Sequence, residues 1–369
     1  MILFYEFLGV AIGTRETLSY VPSTQDWNDI FLLAKKQALL GVCFNAIQRI
    51  HDLHPELEVN LPAKLRLQWV GVAIRIQVRN EELNKQCQII QTKFLNAGLQ
   101  SCILKGQGVA SYYGAELTSF RQSGDIDIWI DGTWKQVMDY VNAETPNREF
   151  DMKHTHLLCF PNTIVEVHWW PSVPVNPLYR KRLQTYYKEH APIQCNHRIK
   201  LADKITISAP DAKFEAIHIM YHIFNHFLYE GVGLRQMMDL YFVLTNGGLT
   251  QEDRMEVWAT ARKVGLASFA PAAMWVLISV FGMKSGFCIC KPDSSTGQIL
   301  FSEIERGGNF GSFSSENRVH NESFAHRMVR RLKRRLRLVI FNPIGLIASP
   351  FTKIKVLCWK HKVIRMYNL

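Results

Sequence analysis

The sequence predicts an α/β (α+β) fold: a small mixed β-sheet with helical regions before and after it. Three features point there. Residues 26–98 and 208–282 place apolar side chains at three-to-four spacing, the period of a helix. Between them, "GDIDIWID" (124–131), "HTHLLCF" (154–160) and "TIVEVHWW" (163–170) are short β-rich runs. The last two flank Pro161-Asn162, a hairpin signal.

The opening "MILFYEFLGVAIGTRETL" is apolar but lacks a basic leader and a small-residue cleavage site, so it reads as an element of the fold. "DWNDIFLLAKKQALLGVCFNAIQRI" and the stretch from Pro62 to Gly98 read as helices, the second stopping at its glycine. "LQSCILKGQG" (99–108) reads as a short strand running into a glycine turn, and "VASYYGAELTSF" as one or two helical turns. A strand at 124–131, a helix at "GTWKQVMDYVNA" and the hairpin complete the central part. From Ser208, with a Ser cap and an early Pro, helices resume and continue through "LASFAPAAMWVLISVFG". Ser, Gly and Asn crowd 291–323, which reads as a flexible connector. The expected division is 1–95 helical, 96–205 α/β core, 206–290 helical, 291–323 connector and 324–369 tail.

With 47% hydrophobic and 20% charged residues, the chain is a globular protein, and its 369 residues allow two or three domains. No run of 18 apolar residues predicts a spanning helix. Eight scattered cysteines without a CxxC suit free thiols in a reducing, cytoplasmic compartment. The net charge of +11 is uneven: residues 317–369 hold 13 Lys and Arg against Glu322, leaving the body near −1. That tail admits three readings: an anionic membrane surface or protein partner, a helix docked on its own body, or nucleic acid. The absence of aromatics within "RMVRRLKRRLRL" disfavours the last.

Asp125 and Asp127 raise the chemical question. Strand alternation puts them on the face opposite Ile126, Ile128 and Ile130, about 7 Å apart at the backbone. Carboxylates so placed can converge on cations about 3.5–4 Å apart, as two-metal phosphoryl chemistry requires. Mg2+ takes one or two protein carboxylates and completes its shell with water and phosphates. Glu166, sharing a face with Ile164 and His168, is a third candidate acid on a neighbouring strand. A solvated face of ordinary acids is the alternative.

These residues resemble a known family. "LKGQGVASYYGAELTSFRQSGDIDIWI" with "TIVEVHWW" is similar to the nucleotidyltransferase superfamily of the DNA polymerase beta type. Within it, the match is to bacterial nucleotidyltransferases whose pattern runs Lys-Gly, Arg, Asp-x-Asp and an acid before His-Trp. "SAPDAKFEAIHIMYHIFNH" and "LRQMMDL" resemble that family's histidine helix and Leu-Arg…Asp segment. The resemblance implies that Asp125 and Asp127 hold Mg2+ (or Mn2+), and that Glu166 shares a metal and helps deprotonate the acceptor hydroxyl. It implies that the Gly106 turn approaches a nucleoside triphosphate. Where the superfamily has Gly-Ser or Gly-Gly, this chain has Gly106-Gln107, 19 positions before Asp125.

Lys105 and Arg121 are candidate phosphate contacts, or surface cations paired with nearby acids. Ser123 is a donor near the metals or part of the turn, and His168 orients an acid or touches substrate. His218, His222 and His226 line one helix face. Without an HExxH, a hydrogen-bonded face packed toward the sheet is expected there rather than zinc. Arg235 and Asp239 read as an i, i+4 brace. The expected activity moves a nucleoside monophosphate to the hydroxyl of an unknown acceptor, releasing pyrophosphate. The alternatives are a degenerate nucleotide-binding module, favoured by Gly106-Gln107, and a toxin-like RNA-modifying nucleotidyltransferase, suited by the basic tail.

Overall fold

A computed structural model describes residues 2–145, 149–313 and 324–367. The chain opens with helices α1 (Ile2–Ala11), α2 (Thr24–Lys36), α3 (Leu40–Leu53) and the long α4 (Ala63–Asn96). The central part runs β1 (Ser101–Leu104), α5 (Gly106–Ala110), α6 (Gly114–Leu117), β2 (Ile126–Ile130), α7 (Trp134–Glu144), β3 (His154–Phe160) and β4 (Thr163–His168). Then come α8 (Pro177–Asn196), a hairpin of β5 (Arg198–Ala202) and β6 (Ile205–Ser208), and α9 (Ala212–Tyr229). Helices α10 (Leu234–Asn246), α11 (Gln251–Lys263), α12 (Phe269–Phe281), α13 (Ser294–Gly307), α14 (Phe324–Arg337) and α15 (Pro343–Tyr367) follow. The fold is α+β.

The main sheet has the order β1-β2-β4-β3 and is mixed: β2 and β4 are parallel, the outer pairs antiparallel. Its two faces belong to different cores. Ile126, Ile128, Ile130, Val165 and Val167 bury against α4 (Leu83, Cys87, Ile90, Phe94) and α7 (Val137, Met138, Val141). On the other face Cys102, Leu104 and Trp129 join the large helical core, where Trp129 stacks on Phe214 of α9 at 5.4 Å. The alternation read from the sequence is therefore a division between two packed layers. A Thr133–Gln136 capping box starts α7 and fixes its entry after β2.

Two expectations are corrected, and of the three readings of the tail the structure shows the docked one. The helix after 208 starts at Ala212 on an Asp211 cap, because Ser208 belongs to β6, its amide and carbonyl both bonded to the Gln91 side chain. The connector 291–323 contains α13: Asp293 caps it through the Ser295 and Thr296 amides, and Leu300 and Ile304 are buried. Gly297 there lies so close to Trp275 that a Cβ would meet the ring at 2.6 Å. Residues 314–323 lie outside the described residues. The tail docks on its own body. Buried Glu303 of α13 receives Arg337 at 2.9 Å, Arg334 donates to the Phe227 carbonyl, and Leu338 and Phe341 enter the helical core. On α15, Trp359 packs against Trp134, Phe150 and Trp169, Val363 is fully buried, and Tyr367 donates to Asp139. A charge count hides these apolar anchors. Among the described residues no helix is long and apolar enough to cross a membrane. The eight cysteines are free thiols.

Candidate active site

The site begins at a strained turn. After β1, Lys105 adopts φ 48°, ψ −145° and Gly106 φ 40°. A side chain in that region costs on the order of 1–3 kcal/mol and persists only where its surroundings hold it. The turn directs the Lys105 ammonium to 2.8 Å from Asp127 Oδ1 and 3.4 Å from His222 Nδ1. Two residues on, a Cβ at Gly108 would meet the Ile103 carbonyl at 3.0 Å, so glycine allows the first turn of α5 to close onto β1.

Strand register gathers the polar groups. Asp127 lies opposite Glu166, His156 opposite Glu166, and His154 opposite His168, so one face of three strands carries them all. His168 Nε2 lies 3.0 Å from Asp127 Oδ1 and 3.3 Å from Glu166 Oε2. Glu166 Oε2 is in turn 3.5 Å from His154 Nδ1. Asp125 stands at the mouth, just before β2. Together with Lys105, Gly106 and Ser123 these acids form one wall of a cavity of about 320 Å³. The other wall has His222 and His226 of α9, Arg235 and Asp239 of α10, and Phe310. A larger cavity of about 520 Å³, between α1 and α12–α13, has an apolar lining with the Glu6–Arg15 pair and no cluster of acids.

The electrostatics are those of crowded anions. Burial would raise the Asp127 carboxyl, but Lys105 and His168 hold it well below the usual carboxylate range. Burial likewise opposes ionisation of Glu166, and the His168 hydrogen bond brings it down to about 2. Asp125 keeps an exposed outer surface, yet partial desolvation pushes its carboxyl up, and the charges of Asp127 and Glu166 add to the effect. Burial works against the Lys105 ammonium, but the charges of Asp127, Asp125 and Glu166 outweigh it and shift the group upward. Burial, then repulsion by His168, lowers His154 to about 3, leaving a neutral imidazole.

Of the residues read from the sequence, Asp125, Asp127, Glu166, Lys105, Gly106, Arg121 and Ser123 meet in this cavity. Gln107 does not: its side chain turns into α4, where it bonds to Asn84 and the Asn80 carbonyl. His168 lies beneath the floor, 1% exposed, between two carboxylates, so it orients acids. Arg121 is buried in a two-pronged pair with Asp239, both bonds 2.8 Å, and it donates to Ser123 Oγ. Tyr113 donates to the same Asp239. Asp239 is therefore spent on Arg121, and the expected Arg235–Asp239 brace is replaced. Arg235 instead donates to the Gln122 carbonyl and lies over the Phe310 ring at 5.4 Å.

Sequence reasoning missed Lys153, His154 and Arg235 as cavity residues. Among the described residues neither Lys153 nor Arg235 has an ion-pair partner. The alternation of "HTH" at 154–156 was a usable signal, because it places both histidines on the face of Glu166 across an antiparallel pair.

The donor set suits a divalent cation. Three carboxylates face one another, and the Lys105 ammonium on Asp127 stands where a cation's charge is needed. Taken together, fold and site define an α+β protein with a cleft of clustered carboxylates between a mixed sheet and a histidine-bearing helix. A family model described as "Uncharacterised nucleotidyltransferase" matches residues 23–282, more than two thirds of the chain, and the chain belongs to that family. No curated protein and no solved structure matches it.

Proposed function

We propose that the chain is a metal-dependent nucleotidyltransferase of the DNA polymerase beta type. It moves a nucleoside monophosphate from a nucleoside triphosphate to an acceptor hydroxyl and releases pyrophosphate. The observation that carries this reading is the meeting of Asp125, Asp127 and Glu166, from two parallel strands, with Lys105 at one cleft. Asp125, Asp127 and Glu166 would hold Mg2+ (or Mn2+), which when bound neutralises charge developing on the phosphates. Lys153 and Arg235, without carboxylate partners, are the cations available to the triphosphate, and Ser123 offers a hydroxyl beside them. Arg121 holds Ser123 and ties the turn before β2 to α10. With its carboxyl near 2, Glu166 suits charge compensation rather than proton abstraction.

A second reading, a nucleotide-binding module without transfer, draws on two observations. The Lys105 ammonium already neutralises Asp127, and Gln107 is turned away from the cleft.

The test is calorimetric titration of Mg2+-nucleotides alongside assays for pyrophosphate release with each of the four triphosphates. Asp125→Asn and Asp127→Asn should each abolish tight Mg2+-nucleotide binding while the fold is retained. Unchanged affinity in both variants would sink the proposal. Binding without pyrophosphate release, in the presence of mass-identified copurified acceptors, would favour the second reading.

A further inference from the structure

We propose that the inner end of the cleft is a site for a divalent cation of the Mn2+, Co2+ or Zn2+ class, held by His154, Glu166 and His168. The proposal rests on the reading above for the shared acid, Glu166, and adds a metal preference that three carboxylates would not have.

The donors are brought together by backbone pairing alone. His154 and His168 are register partners on antiparallel strands, and Glu166 is one same-face step along β4. Glu166 Oε2 lies 3.3 Å from His168 Nε2 and 3.5 Å from His154 Nδ1, and a donor atom from each residue lies within 4.8 Å of the others. With ligand bonds of about 2.1 Å, neighbouring ligands stand about 3.0 Å apart in an octahedron and about 3.4 Å apart in a tetrahedron. The two short separations are thus close to the edges of a coordination polyhedron, whereas the two ring nitrogens, up to 4.8 Å apart, must move toward each other as the cation enters.

His154 supplies the second observation. Its Nδ1 is buried and has no hydrogen-bond partner, although Glu166 and Asp151 carboxylates are 3.5 and 3.8 Å away. A buried imidazole nitrogen left unbonded between two acids costs free energy in the cation-free chain, and a cation at that point would satisfy it. His168 Nε2 donates to the Asp127 and Glu166 carboxylates in the cation-free chain and would give up that proton to coordinate, while its Nδ1 faces the Trp170 carbonyl at 3.4 Å, the kind of outer contact that fixes a ligating ring. His154 and Glu166 also line the cavity, leaving the coordination sphere open on the substrate side.

Chemistry decides which cation. Mg2+ demands oxygen ligands and keeps its waters, so two imidazoles suit it poorly. Imidazole nitrogen with one carboxylate favours the later first-row ions. The cleft then has an outer, all-oxygen part at Asp125 and Asp127 and an inner part with two nitrogens and one oxygen.

Co2+ is the probe, because its visible spectrum distinguishes nitrogen and oxygen ligands from the free cysteines, whose thiolates give an intense charge-transfer band. Full-length protein titrated with Co2+ in excess Mg2+ should bind one equivalent with a nitrogen–oxygen spectrum. His154→Ala and His154→Asn should each weaken that binding on the order of tenfold or more, with circular dichroism and melting temperature confirming that at least one is folded. His156→Gln, on the same face but outside the set, should leave it unchanged. Asp125→Asn should lose Mg2+-nucleotide binding yet keep the Co2+ site, so failure of the nucleotide reading and failure of this one are separable. No Co2+ uptake, a thiolate spectrum, or binding indifferent to both His154 variants would overturn the proposal.

Discussion

Buried without a counter-charge, Arg121 would be an expensive residue; Asp239 makes it a structural one. The pair is almost wholly enclosed, with side-chain exposures of 4% and 9%, and links the turn before β2 to α10. Arg121→Ala leaves Asp239 charged and buried, so it should cost about 3–5 kcal/mol in denaturant unfolding. Arg121→Lys should not rescue it, since an ammonium cannot make both planar contacts. Unfolding midpoints equal to those of the unmodified chain would return Arg121 to the role of a free phosphate contact. Glu215 shows the opposite case. It is buried on α9 with both oxygens unbonded, and burial, with the Asp239 charge adding, raises its carboxyl to about 8. The folded chain therefore keeps a proton that the unfolded chain releases between pH 4.5 and 8. Stability falls as pH rises through that window, by an amount on the order of a few kcal/mol. Glu215→Gln removes the titration. Its melting temperature should match the native protein's near pH 5 and exceed it increasingly toward pH 8; a constant difference would show that Glu215 ionises freely.

At the scale of elements, what the sequence displayed were patterns local to one segment. The long helix to Gly98, the isoleucine face of β2 and the Pro161-Asn162 hairpin all follow from spacing within a few residues, and all are present. What it hid were partnerships across the chain. Nothing near Ser208 announces that Gln91 will bind its backbone, and nothing near Asp239 announces Arg121. The tail hid most, because thirteen cations outweigh a few apolar anchors in any local count. Those anchors give a prediction. Trp359 fills the space between Trp134, Phe150 and Trp169, beside fully buried Val363. Trp359→Ala should destabilise by roughly 2–3 kcal/mol, below the range for a wholly enclosed tryptophan because the ring is only half-buried. Removal of residues 324–369 should bare the three aromatics and lower the soluble yield. A truncated chain that stays monodisperse with an unchanged melting temperature would show that the tail is an appendage after all.

At the scale of the whole molecule, the cleft lies where two layers meet. Its acids and His154 come from a sheet whose reverse face packs on α4 and α7, while His222, His226 and Arg235 come from helices of the other core. The carboxylate half of this site was legible because alternation fixes which face a strand residue occupies. The helical wall was not, since no spacing within α9 or α10 specifies what stands opposite. Under the proposed function, that geometry would make metal and nucleotide interdependent. Phosphates entering alone would meet Asp125 and Asp127 and be repelled, despite Lys153 and Arg235 nearby. A divalent cation entering alone must compete with the Lys105 ammonium, 2.8 Å from Asp127. Each ligand removes the other's obstacle, so the two should stabilise the fold together by more than the sum of their separate effects. Ligand at 100 times its dissociation constant adds about 2.7 kcal/mol. For 369 residues, the usual unfolding entropy turns that into a rise of about 3.5 °C in melting temperature. Mg2+ with a non-hydrolysable triphosphate analogue should give that rise, either component alone should give a small fraction of it, and Asp125→Asn should abolish the excess. Simple additivity of the two shifts would mean that metal and nucleotide bind at unrelated places.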